Sequence, residues 1–240
     1  MELSSYDSKH VRVKDKFGGE FVGVADYHDA EYCLAEYGTE ENAVKIGEDL
    51  IYESEVASIE EIEVHGTAEI WTDRLVLRRH RPEDAEDLYR YFGADPEMTK
   101  YSGWNPYATL ETARQTVHRF MVSYRDEHFY GWAIECEDVL FGTIGAYDYE
   151  KDRIEVGFSI VKVCWGRGYA TEALKAVLSY LTENEGISCV TAWCAAENIA
   201  SRRVLEKAGM QLVRTEKDGL AVGEHTYDRL MFEYRRDVSQ

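Results

Sequence analysis

No stretch of the 240 residues approaches the roughly 20 consecutive apolar positions that a bilayer-spanning helix needs. The opening MELSSYDSKH has neither the basic nor the apolar region of a secretory leader. Proline is scarce, with three residues against seventeen Tyr and five Trp, a balance that argues for packed strands and helices and against disorder. The five cysteines, Cys33, Cys136, Cys164, Cys189 and Cys194, are scattered and form no C-x-x-C. They read as reduced thiols, and the expected location is cytoplasmic. Basic side chains are also few, 27 Lys and Arg against 46 Asp and Glu, for a net charge of −19. The deficit is uneven: residues 1–66 hold 17 acidic and 5 basic side chains. Such a surface repels a phosphate backbone and makes nucleic acid an unfavoured partner.

What is present falls into two rhythms. Residues 1–66 read as a small all-β domain. Val11 and Val13 alternate in a first strand, Asp15–Gly19 turns, and Phe21–Val24 forms a second strand. An irregular stretch rich in Asp and Glu precedes three further strands at Ala43–Gly47, Leu50–Glu53 and Ser58–Val64. The boundary is placed in Val64–Glu69. Residues 67–240 alternate strands and helices. Arg74–Arg79 reads as a strand. Pro82 is placed at the first position of a helix whose apolar stripe is Ala85, Leu88, Tyr89 and Phe92. Leu110–Arg125 is a second helix with Ala113, Val117, Phe120 and Met121 on one face. A hairpin (Trp132–Cys136, Val139–Tyr147), a strand (Arg153–Val161), a helix (Gly168–Asn184), a strand (Cys189–Cys194), a short helix (Ser201–Ala208) and two closing strands (Met210–Glu216, Tyr227–Tyr234) complete the pattern.

The segment richest in chemistry is IEVGFSIVKVCWGRGYATEAL, from Ile154 to Leu174. A strand runs through a short loop into a helix, with Gly166 and Gly168 at the junction. The first turn of a helix presents unpaired N–H groups and a partial positive charge. Glycine lets a ligand approach the backbone. Together they make a cradle for a diphosphate, and Arg167 adds a mobile cation. The carboxylate of Glu172 would oppose an anion and is expected to turn away. The third glycine of a dinucleotide fingerprint is missing, since Thr171 stands there, and the Gly-Lys-Ser/Thr of a P-loop is absent. A glycine-permitted turn without any ligand is the alternative.

This stretch resembles the acetyl-CoA motif of the GNAT superfamily of N-acetyltransferases, in the branch that acetylates ribosomal-protein N-termini. NIASRRVLEKAGM, from Asn198 to Met210, and TDRLVLRRHRPEDAEDLY, from Thr72 to Tyr89, extend the resemblance. It implies a central mixed, mostly antiparallel α/β sheet flanked by helices. Backbone groups of Phe158, Ser159 and Ile160 would then pair with the pantetheine arm. Amides of Gly166, Arg167, Gly168, Tyr169, Ala170 and Thr171 would hold the pyrophosphate. Asn198 would bond the arm, and Ser201 would sit near the sulfur. The sequence departs from the family at Trp165, where Gln or Arg is usual, and at Leu205, where many relatives place a Tyr that protonates the leaving thiolate. The first segment, VRVKDKFGGEFVGVADY followed by YESEVASIEEIEV, resembles an Sm-like or SH3-like barrel and suggests a packing or dimerisation module.

An amine attacks a thioester only when neutral, and a general base typically contributes about 10²–10⁴-fold. Glu155 is the candidate base, alternating with Gly157 and Ser159 on one face of the strand; a salt bridge to Arg153 is the alternative. The Ile160 N–H is the candidate donor to the oxyanion. Ser201 is the candidate acid, with capping of its helix as the other reading. Tyr101–Tyr107 is read as either an aromatic acceptor pocket or a packed loop. No metal-ligand spacing is found. The expected cosubstrate is acetyl-CoA. The expected acceptor is a protein N-terminal amine, with a polyamine or aminoglycoside as the runner-up. A catalytically silent acetyl-CoA-binding adaptor is the reading from another class. A homodimer is compatible with the sequence, and no membrane partner is expected.

Overall fold

The structure is a computed structural model that describes every residue except 1, 8, 48, 63–65, 94, 102–104, 106, 127, 138 and 236–240. The chain divides into two compact units, Met1–Val64 and His65–Gln240.

In the first unit, strands β1 (His10–Asp15), β2 (Glu20–Val24), β3 (Asp26–His28), β4 (Ala43–Ile46), β5 (Asp49–Tyr52) and β6 (Val56–Glu61) form two three-stranded sheets, β2-β1-β6 and β3-β4-β5. Val11, Val13 and Ile59 from one sheet share a core with Val44, Ile46 and Ile51 from the other. The acidic stretch expected to be irregular holds a helix, α1 (Ala30–Tyr37). Asp29 caps its start by accepting from the Tyr32 N–H, and Gly38 ends it at φ 76°. These are local start and stop signals; the charge density of the stretch concealed them.

The second unit is built on one eight-stranded sheet, and its elements follow in chain order. Strands β7 (Ile70–Trp71) and β8 (Val76–Arg78) precede helices α2 (Asp84–Leu88), α3 (Pro96–Thr99) and α4 (Leu110–Ser123). The hairpin β9 (Tyr130–Cys136) and β10 (Val139–Glu150) leads to β11 (Arg153–Ile160). Helix α5 (Tyr169–Ser179), strand β12 (Cys189–Ala195) and helix α6 (Ile199–Lys207) follow, and β13 (Gln211–Val222) and β14 (His225–Arg235) close the chain. The strand order is β13-β14-β12-β11-β10-β9-β8-β7. β11 and β12 are parallel and are joined through α5; the other neighbouring pairs are antiparallel. The sheet is therefore mixed and mostly antiparallel, as expected from the sequence.

Helix α5 buries Ala173, Leu174, Val177 and Leu178 along one stripe, at about 1.5–3 kcal/mol for each large aliphatic side chain. Two details of the helices differ from the expected pattern. α2 begins at Asp84, so Pro82 lies in the turn ahead of it, where the Ala85 N–H reaches the Pro82 carbonyl at 3.3 Å. Tyr89 and Met121, expected on apolar stripes, are 38% and 41% exposed. α2 is only five residues long and passes into a π-helical turn, Tyr89–Gly93, which rotates the stripe away from Tyr89.

Asp84 starts α2 because of a buried ion network. Arg78 on β8 donates two hydrogen bonds of 2.9 Å to Asp84 and one of 2.6 Å to Glu135 on β9. Burial alone would push the Asp84 carboxyl up, but hydrogen bonds from His80 and Arg78 overcome it and hold it well below the usual carboxylate range. Breaking one member of such a network costs about 3–5 kcal/mol, because the remaining charge stays buried and unpaired.

Candidate active site

The site is a fork in the sheet. β11 and β12 pair through only three residues, Arg153–Cys189, Ile154–Val190 and Glu155–Thr191. β12 then continues against β14 to Ala195, while β11 continues against β10 to Ile160. Beyond Glu155 the facing edges separate. The Val161 N–H bonds the Phe141 carbonyl on the β10 side, and the Cys189 N–H bonds the Asp152 carbonyl on the β12 side. Peptide groups alternate sides along a strand. The even-numbered residues of β11 therefore turn their peptide groups toward β12. Within the open part these are Phe158 and Ile160.

The fork thus sorts the three strand residues expected to meet a cofactor arm. Phe158 and Ile160 offer peptide groups to the gap. Ser159 lies opposite Thr143, with its peptide groups on the β10 side, so only its side chain remains for a ligand. The Ile160 carbonyl is also engaged, accepting from the Trp165 indole N–H at 2.6 Å. Sequence reasoning treated Trp165 only as a departure from a motif and missed this bond. What Ile160 keeps for the gap is its N–H.

Past β11 the chain makes a short 3₁₀ turn, Lys162–Cys164, and enters α5 through Gly166 at φ 75° and Gly168 at φ 84°. A Cβ at Gly166 would meet nothing within 4 Å, so glycine is required there for its backbone angle and not for space. The first intrahelical bond runs from the Glu172 N–H to the Gly168 carbonyl at 3.0 Å. The amides of Tyr169, Ala170 and Thr171 lie within the first turn and have no carbonyl one turn earlier. Three N–H groups and the helix dipole converge at this point, beside the exposed Arg167.

This turn is braced from the connection between β7 and β8. Glu172 accepts from the Thr72 hydroxyl at 2.7 Å, the Arg74 N–H at 3.0 Å and the Arg74 Nε at 2.7 Å. Arg74 also donates to the Arg167 carbonyl at 3.1 Å and lies 4.6 Å from the Tyr169 ring centre. Burial would raise the Glu172 carboxyl, but the bonds from Thr72 and Arg74 outweigh it and lower it. Glu172 does turn away from the amides, as its charge requires. The partner that holds it is 98 residues away in the chain, beyond any local pattern.

Glu155 is the last β11 residue paired with β12, at the apex of the fork. It accepts from the Trp193 indole N–H at 2.8 Å. Arg153, its expected partner in the alternative reading, pairs with Glu233 at 3.0 Å. Burial pushes the Glu155 carboxyl up; Trp193 and the Tyr147 hydroxyl oppose this, and Asp148 adds to it. A carboxyl raised in this way keeps its proton to higher pH than a free one, the direction a proton-exchanging group needs. Its face opens onto a hollow lined also by Asp148, Glu150, Lys151, Arg153, Thr191 and Met231.

The fork lies at the carboxyl end of both parallel strands, and α6 starts at the same end after β12. Asn198 caps α6, its Oδ1 accepting from the Ser201 N–H at 3.1 Å. Ser201 therefore occupies the third helical position and is not the cap of its helix. The Asn198 Nδ2 remains as a donor. Leu205 is fully buried.

Residues 74–211 match the family model for the acetyltransferase (GNAT) domain. The chain belongs to the GNAT acetyltransferase family. An uncharacterized N-acetyltransferase of Bacillus subtilis, YoaA, is 35% identical over 144 residues, covering 58% of this chain and 81% of its own. A GNAT-family acetyltransferase from Bacillus anthracis is 26% identical, covers 70% of this chain and 98% of its own, and superposes with a TM-score of 0.63. The same fold is found in RimL, a ribosomal L7/L12 α-N-protein acetyltransferase determined with coenzyme A. RimL is 18% identical, with a TM-score of 0.63 and coverage of 70% of this chain and 97% of its own.

Of the aromatic loop Tyr101–Tyr107, Ser102–Trp104 and Pro106 lie outside the described residues. Of its described aromatics, Tyr107 is buried against Phe92, with ring centres 6.0 Å apart. Tyr101 leans on Tyr227 of β14, with ring centres 5.4 Å apart, and its hydroxyl is 3.5 Å from the Glu197 carbonyl in the turn before α6. The loop therefore has one packed aromatic and one reaching the same end of the sheet as the fork.

Proposed function

We propose that the second unit transfers the acetyl group of acetyl-CoA to a primary amine, by preference the N-terminal amine of a protein. The observation that carries this reading is the fork between β11 and β12, with the amide-rich start of α5 at its end. The residues present fit the cosubstrate. The peptide groups of Phe158 and the Ile160 N–H can pair with an amide-bearing arm as a strand would. The amides from Gly166 to Thr171, with Arg167, can hold a diphosphate, and the Asn198 Nδ2 can donate to an arm carbonyl. Bound there, acetyl-CoA supplies the activated acetyl group.

The chain's own residues do the rest. Glu155 accepts the proton that an incoming ammonium must lose. The Ile160 N–H donates to the oxygen on which charge develops. The Ser201 hydroxyl, free of capping duty, relays to the departing sulfur the proton that the attacking nitrogen sheds as it becomes an amide, and is itself left protonated. The resemblance to ribosomal-protein acetyltransferases and the shared fold of RimL support a protein N-terminus as acceptor. The net charge of −19, which would attract a polycation, favours a second reading, a polyamine or aminoglycoside acceptor. The buried Leu205, which leaves no hydroxyl at that position, favours a third, a silent acetyl-CoA-binding adaptor. Residues 1–66 are kept as a small Sm-like or SH3-like barrel module for packing or dimerisation, which light scattering on the full chain would test.

One assay separates the acceptors: CoA release measured against peptides with a free N-terminus, spermidine and aminoglycosides. Turnover restricted to peptides is the expected result. Turnover restricted to polycations would select the second reading. An acetyl-CoA-induced rise in melting temperature without turnover on any amine would select the third. Ser201→Ala should lower kcat with little change in acetyl-CoA affinity; unchanged kcat would remove Ser201 from the mechanism.

A further inference from the structure

Two aromatic residues beside Glu155, Tyr147 and Trp193, belong to no part of the motif reading, and a glycine of the motif, Gly157, adjoins them. Tyr147 stands directly opposite Glu155 across the β10–β11 ladder, and its hydroxyl opposes the rise that burial imposes on the carboxylate. Trp193, two residues beyond the last β12 pairing, donates its indole N–H to Glu155 Oε1 at 2.8 Å. Gly157 is the next residue of β11 on the same face. A Cβ there would lie 2.7 Å from the Tyr147 hydroxyl, so the hydroxyl would have to move from its present place. A glycine inside a strand normally weakens it, and here its missing side chain is the space that Tyr147 uses.

We propose that Tyr147 and Trp193 are positioning residues that hold the Glu155 carboxylate at the apex of the fork, and that position 157 is glycine so that Tyr147 can reach it. The inference rests on the reading of Glu155 as the base. The two donors come from the strands on either side, β10 and β12, so together they fix both the rotamer and the tilt of the carboxylate. Both can donate at any pH at which the enzyme would work: the indole N–H does not ionise, and burial together with Glu155 and Asp148 raises the phenol. Among the other charges lining the hollow, Glu150 and Lys151 pair with each other at 2.9 Å. Asp148 on β10 raises the Glu155 carboxyl, Arg229 on β14 lowers it while bonded to Glu216, and Arg153 is paired with Glu233. Each lost donor removes stabilisation of the charged carboxylate and should raise its midpoint by about one pH unit.

The test follows Glu155 directly in the full chain. Its side-chain carboxyl is titrated by carbon NMR of protein labelled at glutamate, with the resonance assigned by its loss in Glu155→Gln. In parallel, the acid limb of kcat/KM is measured with acetyl-CoA and a hexapeptide bearing a free α-amine. The expected result is that Tyr147→Phe, Trp193→Phe and Gly157→Ala each move the NMR midpoint and the acid limb upward together, while KM for acetyl-CoA stays put. Tyr147→Phe removes one oxygen from a side chain that is 46% exposed, so it tests the proposal even if the Trp193 variant fails to fold. Unmoved midpoints would overturn the proposal and leave Glu155 as the base. Moved midpoints with full turnover in Glu155→Gln would overturn the base reading, and the positioning role with it.

Discussion

Glu155 and Glu172 are the same side chain placed on opposite sides of one turn, and the protein treats them in opposite ways. Glu172, at the start of α5, is held by Thr72 and by a guanidinium, and its carboxyl is lowered. Glu155, at the apex of the fork, is held by the neutral Trp193 indole, with the Tyr147 hydroxyl also acting on it, and its carboxyl is raised. Neutral hydrogen bonds orient a carboxylate while leaving it able to take up a proton. An arginine orients it and fixes its charge as well. On the proposed reading of Glu155 as the base, the difference separates a group that exchanges protons from one that braces a loop.

Substitutions can break this contrast. The largest expected effect is Glu155→Gln, which should lower kcat by about 10²–10⁴-fold while acetyl-CoA still raises the melting temperature; retained turnover would erase the distinction. Next is Gly168→Ala. A side chain at φ 84° costs roughly 1–2 kcal/mol, so acetyl-CoA affinity should fall by about tenfold, with the pH profile unmoved, as read by calorimetry. Smaller again is Arg74→Ala. It should weaken acetyl-CoA binding by loosening the α5 entry and leave the acid limb of the rate profile where it was. A shifted limb would mean that the two carboxylates are coupled.

The smallest effect is the most diagnostic, because its sign differs between the two sites. Glu155 has a raised carboxyl, so its contribution to stability is present below the unfolded value and is lost as pH rises through the folded value. Glu155→Gln should therefore raise the melting temperature at pH 8. Glu172 has a lowered carboxyl, so its contribution is present above the unfolded value and is lost as pH falls through the folded value. Glu172→Gln should lower the melting temperature at the same pH. Thermal melts of both variants at pH 8, and again at pH 4, would show whether the signs differ.

The elements that the sequence made legible are those whose cause is local. The strand alternation at Arg153–Ile160, the two glycines before α5 and the apolar stripe of α5 all follow from neighbours a few residues apart. So does the outward turn of Glu172, which follows from charge alone. What stayed hidden depends on residues distant in the chain. Arg74 reaches Glu172 across 98 positions, and Trp193 reaches Glu155 across 38. Ser159 was counted with Phe158 and Ile160 because composition does not reveal which side of a strand its peptide groups face; the β10 register decides that. Two local signals were also passed over. The Asp29 and Gly38 caps of α1 were masked by the surrounding acids, and the cap of α6 falls on Asn198, three residues before the serine that was considered for it.

The early separation of β11 from β12 has a consequence for the resting enzyme. A sheet interrupted at its centre has an internal edge whose amides meet solvent where a neighbouring strand would otherwise shield them. A bound pantetheine would complete the sheet as a non-protein strand. The Phe158 and Ile160 amides should therefore exchange with deuterium quickly in the free protein and slowly once acetyl-CoA is added, whereas Ser159 between them, already bonded to β10, should exchange slowly in both states.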